Sequence, residues 1–322
     1  MKDGYKKKFF YPTLDYFKVN RKVLAIRLTD LYKVLGLSKQ AHHQHQIQHN
    51  QQACDNEKIL QEVVILRINH PVMGLKKLYH KLKYKPFGRD RFIDLGVEAG
   101  LSVPRPKNYQ RTTFSTKSNR YQNLLVGIEL DDINQLWVSD ITYFWVNNRF
   151  YYITLIMDVY SRNIVGYCAA PTLEATANME ALAMALKMRK KKTFESLIHH
   201  SDKGTQYVYK EYVELLQSRK IRISMCNVVY ENTHSERLNG IIKNEYLRHR
   251  SINSLPDLKR HLAKDVELYN RDRPHDNLNK MSPHEFENHL LNVPKKQRVK
   301  MNIYVDERTI NKQKFGQQLG LF

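Results

Sequence analysis

The sequence predicts an α/β fold: a mixed five-stranded sheet with flanking helices, preceded by an all-helical region. Three observations carry this reading. Residues 136–169 contain three runs rich in β-branched and aromatic residues, joined by short turn-like pieces. Helix-like and strand-like segments then alternate as far as residue 249. Residues 28–101 instead carry apolar positions at helical spacing.

Charge bounds the partners. Lys and Arg number 53 against 32 Asp and Glu, a net +21 over 322 residues. That excess points to a polyanion, with nucleic acid first and an acidic membrane surface second. The excess is uneven. Residues 1–115 hold 22 basic and 9 acidic side chains, residues 116–290 hold 24 and 21, and residues 291–322 hold 7 and 2. An apolar share of 42% is enough for a core and excludes global disorder. No apolar run approaches the roughly 20 residues that span a bilayer. The start, MKDGYKKKFFYP, lacks the apolar stretch of a signal peptide. A cytoplasmic protein with no membrane partner is expected. Cys54, Cys168 and Cys226 are scattered, so they form neither a disulfide framework nor a zinc cluster.

The elements follow in order. LTDLYKVLGLSKQAHHQ, residues 28–44, has a helix-turn-helix rhythm. Leu31, Val34 and Leu35 share a helical face, Gly36 permits the turn, and Ser38 can cap the next helix. Such units place their second helix in a major groove; an ordinary helical hairpin fits the same residues. The tract HHQHQIQHNQQ, residues 42–52, reads as a solvated helix end or linker, because metal ligands need fixed geometry. Ile59, Leu60, Val63, Val64 and Leu66 form an amphipathic stretch that His70-Pro71 breaks. Leu75, Leu78, Tyr79 and Leu82 form a second, with Lys76, Lys77 and Lys81 on other faces. A third runs from near Arg89 to near Gly100. Residues 103–123 hold two prolines and only positive charge, and read as a linker able to lie along phosphates. Lys76, Lys77, Arg89, Arg91, Lys107 and Arg111 are the candidate phosphate contacts of this half, and a solvated basic face is the other reading.

The second half begins with strands at 136–145, 150–158 and 163–169, an antiparallel meander with Asn147-Asn148 as a turn. A helix, the strand SLIHH, a helix from Thr205, the strand IRISMC and a helix from about Thr233 to His249 complete the pattern. Three carboxylates lie at element ends or edges. Asp140 interrupts the first strand, Asp202 follows the fourth, and Glu236 opens the last helix. Singly, each reads equally as a solvated strand position, a cap or a helix-dipole partner. One mixed sheet would bring all three to the same edge. Clustered carboxylates cannot all ionise cheaply without a cation. Hard oxygen ligands without His or Cys favour Mg²⁺ or Mn²⁺, and two such ions form a clamp for in-line attack at phosphorus. Lys243 lies two turns after Glu236 on nearly the same face, where it would meet a DNA phosphate. Leu238, Ile241, Ile242 and Tyr246 form the inward stripe.

WVSDITY, HHSDKGTQY, YENTHSERLNGIIKNEY and YNRDRPHDNLNKMSPHEF, in that order, resemble the DDE transposases of bacterial insertion-sequence-three elements, second-frame product. HPVMGLKKLYHKL and GRDRFIDL are similar to that group's helical region. The resemblance covers about residues 57–290. It implies the retroviral-integrase catalytic core, a ribonuclease-H-like fold. It implies Asp140, Asp202 and Glu236 as the catalytic, metal-binding triad, with two Mg²⁺ ions (Mn²⁺ possible), and Lys243 as the basic residue that follows the glutamate. Tyr269, Asn270, Arg273, Pro274 and His275 match a signature block for which structural support is an equal reading. The loop before Glu236 is shorter than the family's, and Glu231 stands where Asp is common.

The expected organisation is a helix-turn-helix-like region at 1–53, a helical DNA-binding domain and basic linker at 54–115, a catalytic core at 116–290 and a basic tail at 291–322. The expected activity is metal-dependent strand cleavage and strand transfer at insertion-sequence ends. The partners would be double-stranded DNA, as terminal repeats and target, and a homodimer or higher assembly on that DNA. The alternatives are a domesticated, non-catalytic DNA-binding protein and a ribonuclease-H-class nuclease.

Overall fold

The computed structural model describes residues 9–24, 26–104, 121–226 and 232–303. Lys107, Arg111 and Glu231 lie outside the described residues, as does most of the loop before Glu236. The chain forms two compact units, Met1–Ile65 with Leu82–Leu101, and Leu66–Lys81 with Ser102–Phe322.

The first unit is helical. Helix α1 covers Tyr11–Val19, α2 Arg21–Leu24, α3 Leu28–Leu35, and α4 starts at Lys39 and runs to Asn69 across the unit boundary. Gly36 ends α3 at φ 64°, a left-handed position that glycine takes without steric cost. Ser38 accepts the Ala41 amide at 3.0 Å and so caps α4. The Gln/His tract is helical and mostly exposed, as its composition predicts, with one departure. It lies within α4, and His42 is only 2% exposed. His42 lies 2.9 Å from the Asp15 carboxylate and 2.8 Å from the Tyr32 hydroxyl. Hydrogen-bond partners on two neighbouring helices are what let this polar side chain enter the interior.

The second unit takes up the end of α4, a turn at His70-Pro71 and α5, Leu75–Lys81. Helix α6, Arg89–Glu98, returns to the first unit. His70 is buried between two partners. It donates to Asp272 at 2.6 Å, and its other ring nitrogen meets the Tyr246 hydroxyl at 3.0 Å. Lys81 pairs with the same Asp272. Hydrogen bonding from His70, with Lys81, holds the Asp272 pKa down to about 2.

A short β1, Glu129–Leu130, pairs with β7, Met301–Asn302. The main sheet comprises β2 (Leu136–Val146), β3 (Arg149–Asp158), β4 (Ile164–Ala170), β5 (Ile198–Ser201) and β6 (Arg222–Met225). Their order is β4-β3-β2-β5-β6. β2, β3 and β4 are antiparallel neighbours, while β5 runs parallel to both β2 and β6. Asn147 and Asn148 both have positive φ, the geometry of a two-residue hairpin turn. Helix α7 (Ala175–Arg189) joins β4 to β5, and α8 (Lys210–Ser218) joins β5 to β6. Helices α9 (Thr233–Ile241), α10 (Leu255–Arg271) and α11 (Pro283–Leu290) follow.

Strand alternation sorts the core into two layers. Leu136, Val138 and Val146 pack with Leu238, Ile242, Leu262 and Tyr269 from the later helices. Trp137 points the other way and joins Ala181, Leu182, Tyr212 and Leu216 of α7 and α8. The helix expected from Thr233 to His249 is divided. α9 ends at Ile241 and passes into a single π turn, Ile242–Tyr246. Glu245 in that turn is bound by Arg273 and Tyr246 by His70. The wider turn is thus held by partners on two neighbouring elements.

Candidate active site

The parallel register between β2 and β5 positions two of the three carboxylates. Ser139 and Ser201 are partners, and β5 ends there. Asp140 and Asp202 therefore follow the same paired position on adjacent strands. Ser139 is locked by its hydroxyl contact with Tyr207 at 2.9 Å, and Asn232 donates to the Ser139 carbonyl at 3.3 Å. One Asp202 oxygen accepts the Gly204 amide at 3.1 Å, the turn-capping role open to it from sequence. Asp140 accepts the Ile141 amide at 2.9 Å and the Asn239 side-chain amide at 2.8 Å.

Glu236 lies in the first turn of α9 and is exposed. Its charge nonetheless reaches Asp140. Burial pushes the Asp140 pKa up to about 7, and Asp202 and Glu236 add to the rise. Burial also raises Asp202. Among the described residues no three His, Cys, Asp or Glu side chains converge closely enough to enclose an ion. The acids form a close pair with a third member near enough to be felt.

These residues fit a divalent cation. The donors are carboxylate oxygens, which suit hard ions. The repulsion that raises Asp140 is of the kind a cation relieves. The Oδ1 atoms of Asn232 and Asn239 are buried without a hydrogen-bond partner among the described residues, which leaves spare oxygen acceptors beside the pair.

Lys243 sits in the π turn, half-buried, with its ammonium 5.1 Å from the Tyr143 ring centre. Burial lowers its pKa and Arg248 adds to this, while the charge of Asp140 opposes it. Asn239 and Asn232 were not singled out from the sequence. The available signal for Asn239 was its spacing, three residues after Glu236 and four before Lys243 on one helical face.

The histidines of HHSD are part of the core. His199 meets the Tyr212 hydroxyl at 2.9 Å and His200 meets Ser224 at 2.9 Å. Burial drives the His199 pKa down to about 3, so the ring is neutral. The signature block also fastens the fold. Asn270 bonds both the amide and the carbonyl of Ile164, each at 2.9 Å. Arg273 grips Glu245 with two bonds of 2.8 Å. Burial would raise Glu245, but the Arg273 bonds overcome that and lower its pKa. The Tyr269 and His275 rings meet edge to face at 5.0 Å.

The remaining candidate contacts are dispersed. Lys76 is exposed on α5, whereas Lys77 is half-buried beside Glu245 and Arg273. Burial, aided by Arg273, brings the Lys77 pKa down to about 8. Arg89 is exposed and pairs with Asp90 at 2.9 Å. Arg91 is exposed with its guanidinium 4.6 Å from the Phe87 ring centre.

Residues 132–230 match an integrase core domain model, and residues 220–283 match a second integrase core domain model. The transposase for insertion sequence element IS629 of Shigella sonnei is 30% identical over 227 residues, covering 68% of this chain and 75% of that protein. The transposase InsF for insertion sequence IS3A of Escherichia coli strain K12 is 31% identical over 161 residues, covering 49% of this chain and 55% of that protein. Among solved structures, the HTLV-2 integrase catalytic core domain in complex with magnesium aligns with a TM-score of 0.39 at 18% identity, covering 52% of this chain and 99% of that one. The mixed sheet, three antiparallel strands followed by two parallel ones, is the ribonuclease-H-like arrangement expected of an integrase core domain. The chain belongs to the DDE transposases of the insertion-sequence-three type.

Proposed function

We propose that Asp140, Asp202 and Glu236 are the catalytic and metal-binding residues of this transposase. They would hold two Mg²⁺ ions, with Mn²⁺ able to replace them. The observation that carries this reading is the placement of Asp140 and Asp202 after one paired position, with the Asp140 carboxyl pushed up to about 7 by burial and by its two acidic neighbours. When bound, the ions would activate the attacking oxygen and stabilise charge at phosphorus.

The chain's own groups do the rest. Asn239 orients the Asp140 carboxylate, and Ser139 with Tyr207 fixes the strand beneath it. Lys243 offers a cation to a DNA phosphate beside the acids. Water and then a DNA 3′-hydroxyl would attack at the same site in sequence, so no covalent protein–DNA intermediate is needed. The substrates proposed are the terminal repeats of the element and a target duplex. Joining two ends calls for at least a homodimer on DNA. Residues 116–290 would be the catalytic domain, with Lys76, Lys77, Arg89 and Arg91 among the phosphate contacts of the helical regions ahead of it and residues 291–322 as a basic tail. No helix among the described residues is long and apolar enough to cross a membrane, and a cytoplasmic location is proposed.

The test is cleavage of a duplex carrying the element's terminal repeats. The purified chain should nick it with Mg²⁺ or Mn²⁺ and stop on chelation. Cleavage that survives complete chelation would contradict the reading.

A further inference from the structure

We propose that the outer face of the β2–β3 hairpin is a stacking platform for an unpaired nucleobase of the DNA strand held at the acidic site. The identity of the ligand rests on the transposase reading above; the geometry rests on four side chains. β5 stops opposite Ser139, and β4 pairs with β3 no further than Tyr152. Beyond those points β2 and β3 continue as a two-stranded ribbon. Its cross-strand pairs alternate between faces. Phe144 with Tyr151 and Val146 with Arg149 form one set; Tyr143 with Tyr152 and Trp145 with Phe150 form the other. Val146 and Tyr151 are buried in the core, and Phe144 packs against it. The second set therefore faces away from that core. Trp145 is 54% exposed and Phe150 45%. A solvated sheet face ordinarily carries polar side chains. This one carries four aromatic rings, and an apolar patch of that kind marks a binding surface.

Ring contacts join the patch to Lys243. Trp145 and Phe150 meet edge to face at 4.4 Å, and Phe150 meets Tyr143 at 5.3 Å. The Lys243 ammonium lies 5.1 Å from the Tyr143 ring centre and senses the charge of Asp140. Contacts thus lead from the exposed indole to the Lys243 ammonium, which lies within reach of the Asp140 charge. Between Ile141 and Met157 there is no acidic side chain. The one cation of that stretch, Arg149, belongs to the other face, over the Tyr151 ring, so Lys243 supplies the cation at the Tyr143 end of this one. Aromatic faces with a cation at one end suit a base and its phosphate. Stacking of this kind tolerates any sequence, because every base has a π face.

Fluorescence tests it directly. The chain has two tryptophans, and Trp137 is fully buried, so ligand-dependent changes in emission report on Trp145. The metal-free full chain is titrated with a short oligothymidylate and with an abasic oligonucleotide of equal length. The thymidine strand should quench the emission and bind about tenfold or more tighter than the abasic one. Trp145→Ala should lose that preference, and Trp145→Phe should keep most of it. Equal binding of the two strands, or an unchanged preference in Trp145→Ala, would overturn the proposal. If Trp145→Ala instead converts a dimer to a monomer in sedimentation and the preference is unchanged, the face belongs to a second copy and the proposal falls. The readout needs neither metal nor cleavage. Asp140→Asn run in parallel should keep the base preference, so failure of the active-site reading and failure of the platform are separable.

Discussion

Asn239 donates its side-chain amide to Asp140 at 2.8 Å from a position one turn beyond Glu236 on the same helix. One short stretch of α9 therefore both carries the third acid and orients the first. A donor to a carboxylate favours its ionised form, the form a cation needs. Partners of metal ligands commonly account for about 10–100-fold in activity or metal affinity. Asn239→Ala should lower strand cleavage by roughly that factor, raise the metal concentration needed for half-activity, and move the acidic limb of the pH profile upward. DNA affinity measured by gel shift should be unchanged. An unaltered metal requirement would show that the bond is incidental.

The raised Asp140 carboxyl makes a prediction for the metal-free protein. Burial, Asp202 and Glu236 put its folded-state pKa at about 7, above the ordinary aspartate value of 3.8. The folded state thus favours the protonated acid. This group's contribution to stability is fully present below pH 3.8 and is lost as the pH rises through about 7. Asp140→Asn keeps a neutral oxygen acceptor for Asn239 and does not titrate. With chelator at pH 8 the variant should be more stable than the wild type by on the order of 2 kcal/mol after allowance for solvent screening, or about 4–8 °C in Tm. The gap should close as the pH falls toward 4. Thermal melts across pH check this, and a gap that widens on acidification would contradict the assigned sign.

Arg273 and Glu245 form a two-bond pair behind the π turn, and Arg273 is only 2% exposed. Removing Arg273 strips the half-buried Glu245 of both of these hydrogen bonds. Arg273→Ala should cost about 3–5 kcal/mol in urea unfolding. Lysine cannot reproduce a planar two-bond grip, so Arg273→Lys should recover only part of the loss. Full stability in Arg273→Ala would remove the structural role assigned to the signature block.

Gly166 lies in β4 where α7 crosses it. A methyl group there would collide with the backbone carbonyl of Ala181, and backbone cannot rotate away as a side-chain end can. Gly166→Ala should destabilise the catalytic unit by about 1–3 kcal/mol, the cost of forcing strand and helix apart. Denaturant midpoints compared with those of an exposed control substitution would reveal it.

Much of this was readable in advance, for reasons tied to particular residues. The sheet was legible because β2 and β3 are long, aromatic and β-branched, with Asn147-Asn148 between them. The acids were legible because a lone carboxylate inside LWVSDITYFW stands out against apolar neighbours. The internal division of the Glu236 helix was not, because the residues that hold the π turn, Arg273 and His70, are distant in sequence. Nor was the burial of His42, whose partners Asp15 and Tyr32 come from other helices. Lys77 looked like Lys76 in sequence, and only the approach of Arg273 and Glu245 distinguishes them.

The central claim is that Asp140, Asp202 and Glu236 act as one metal-dependent site. Single-turnover cleavage and joining of terminal-repeat DNA, measured for Asp140→Ala, Asp202→Ala and Glu236→Gln beside the wild type, tests it most directly. Each variant should lose both reactions together, by about a thousandfold or more, while DNA affinity is kept. Wild-type strand transfer by any one of the three would contradict it.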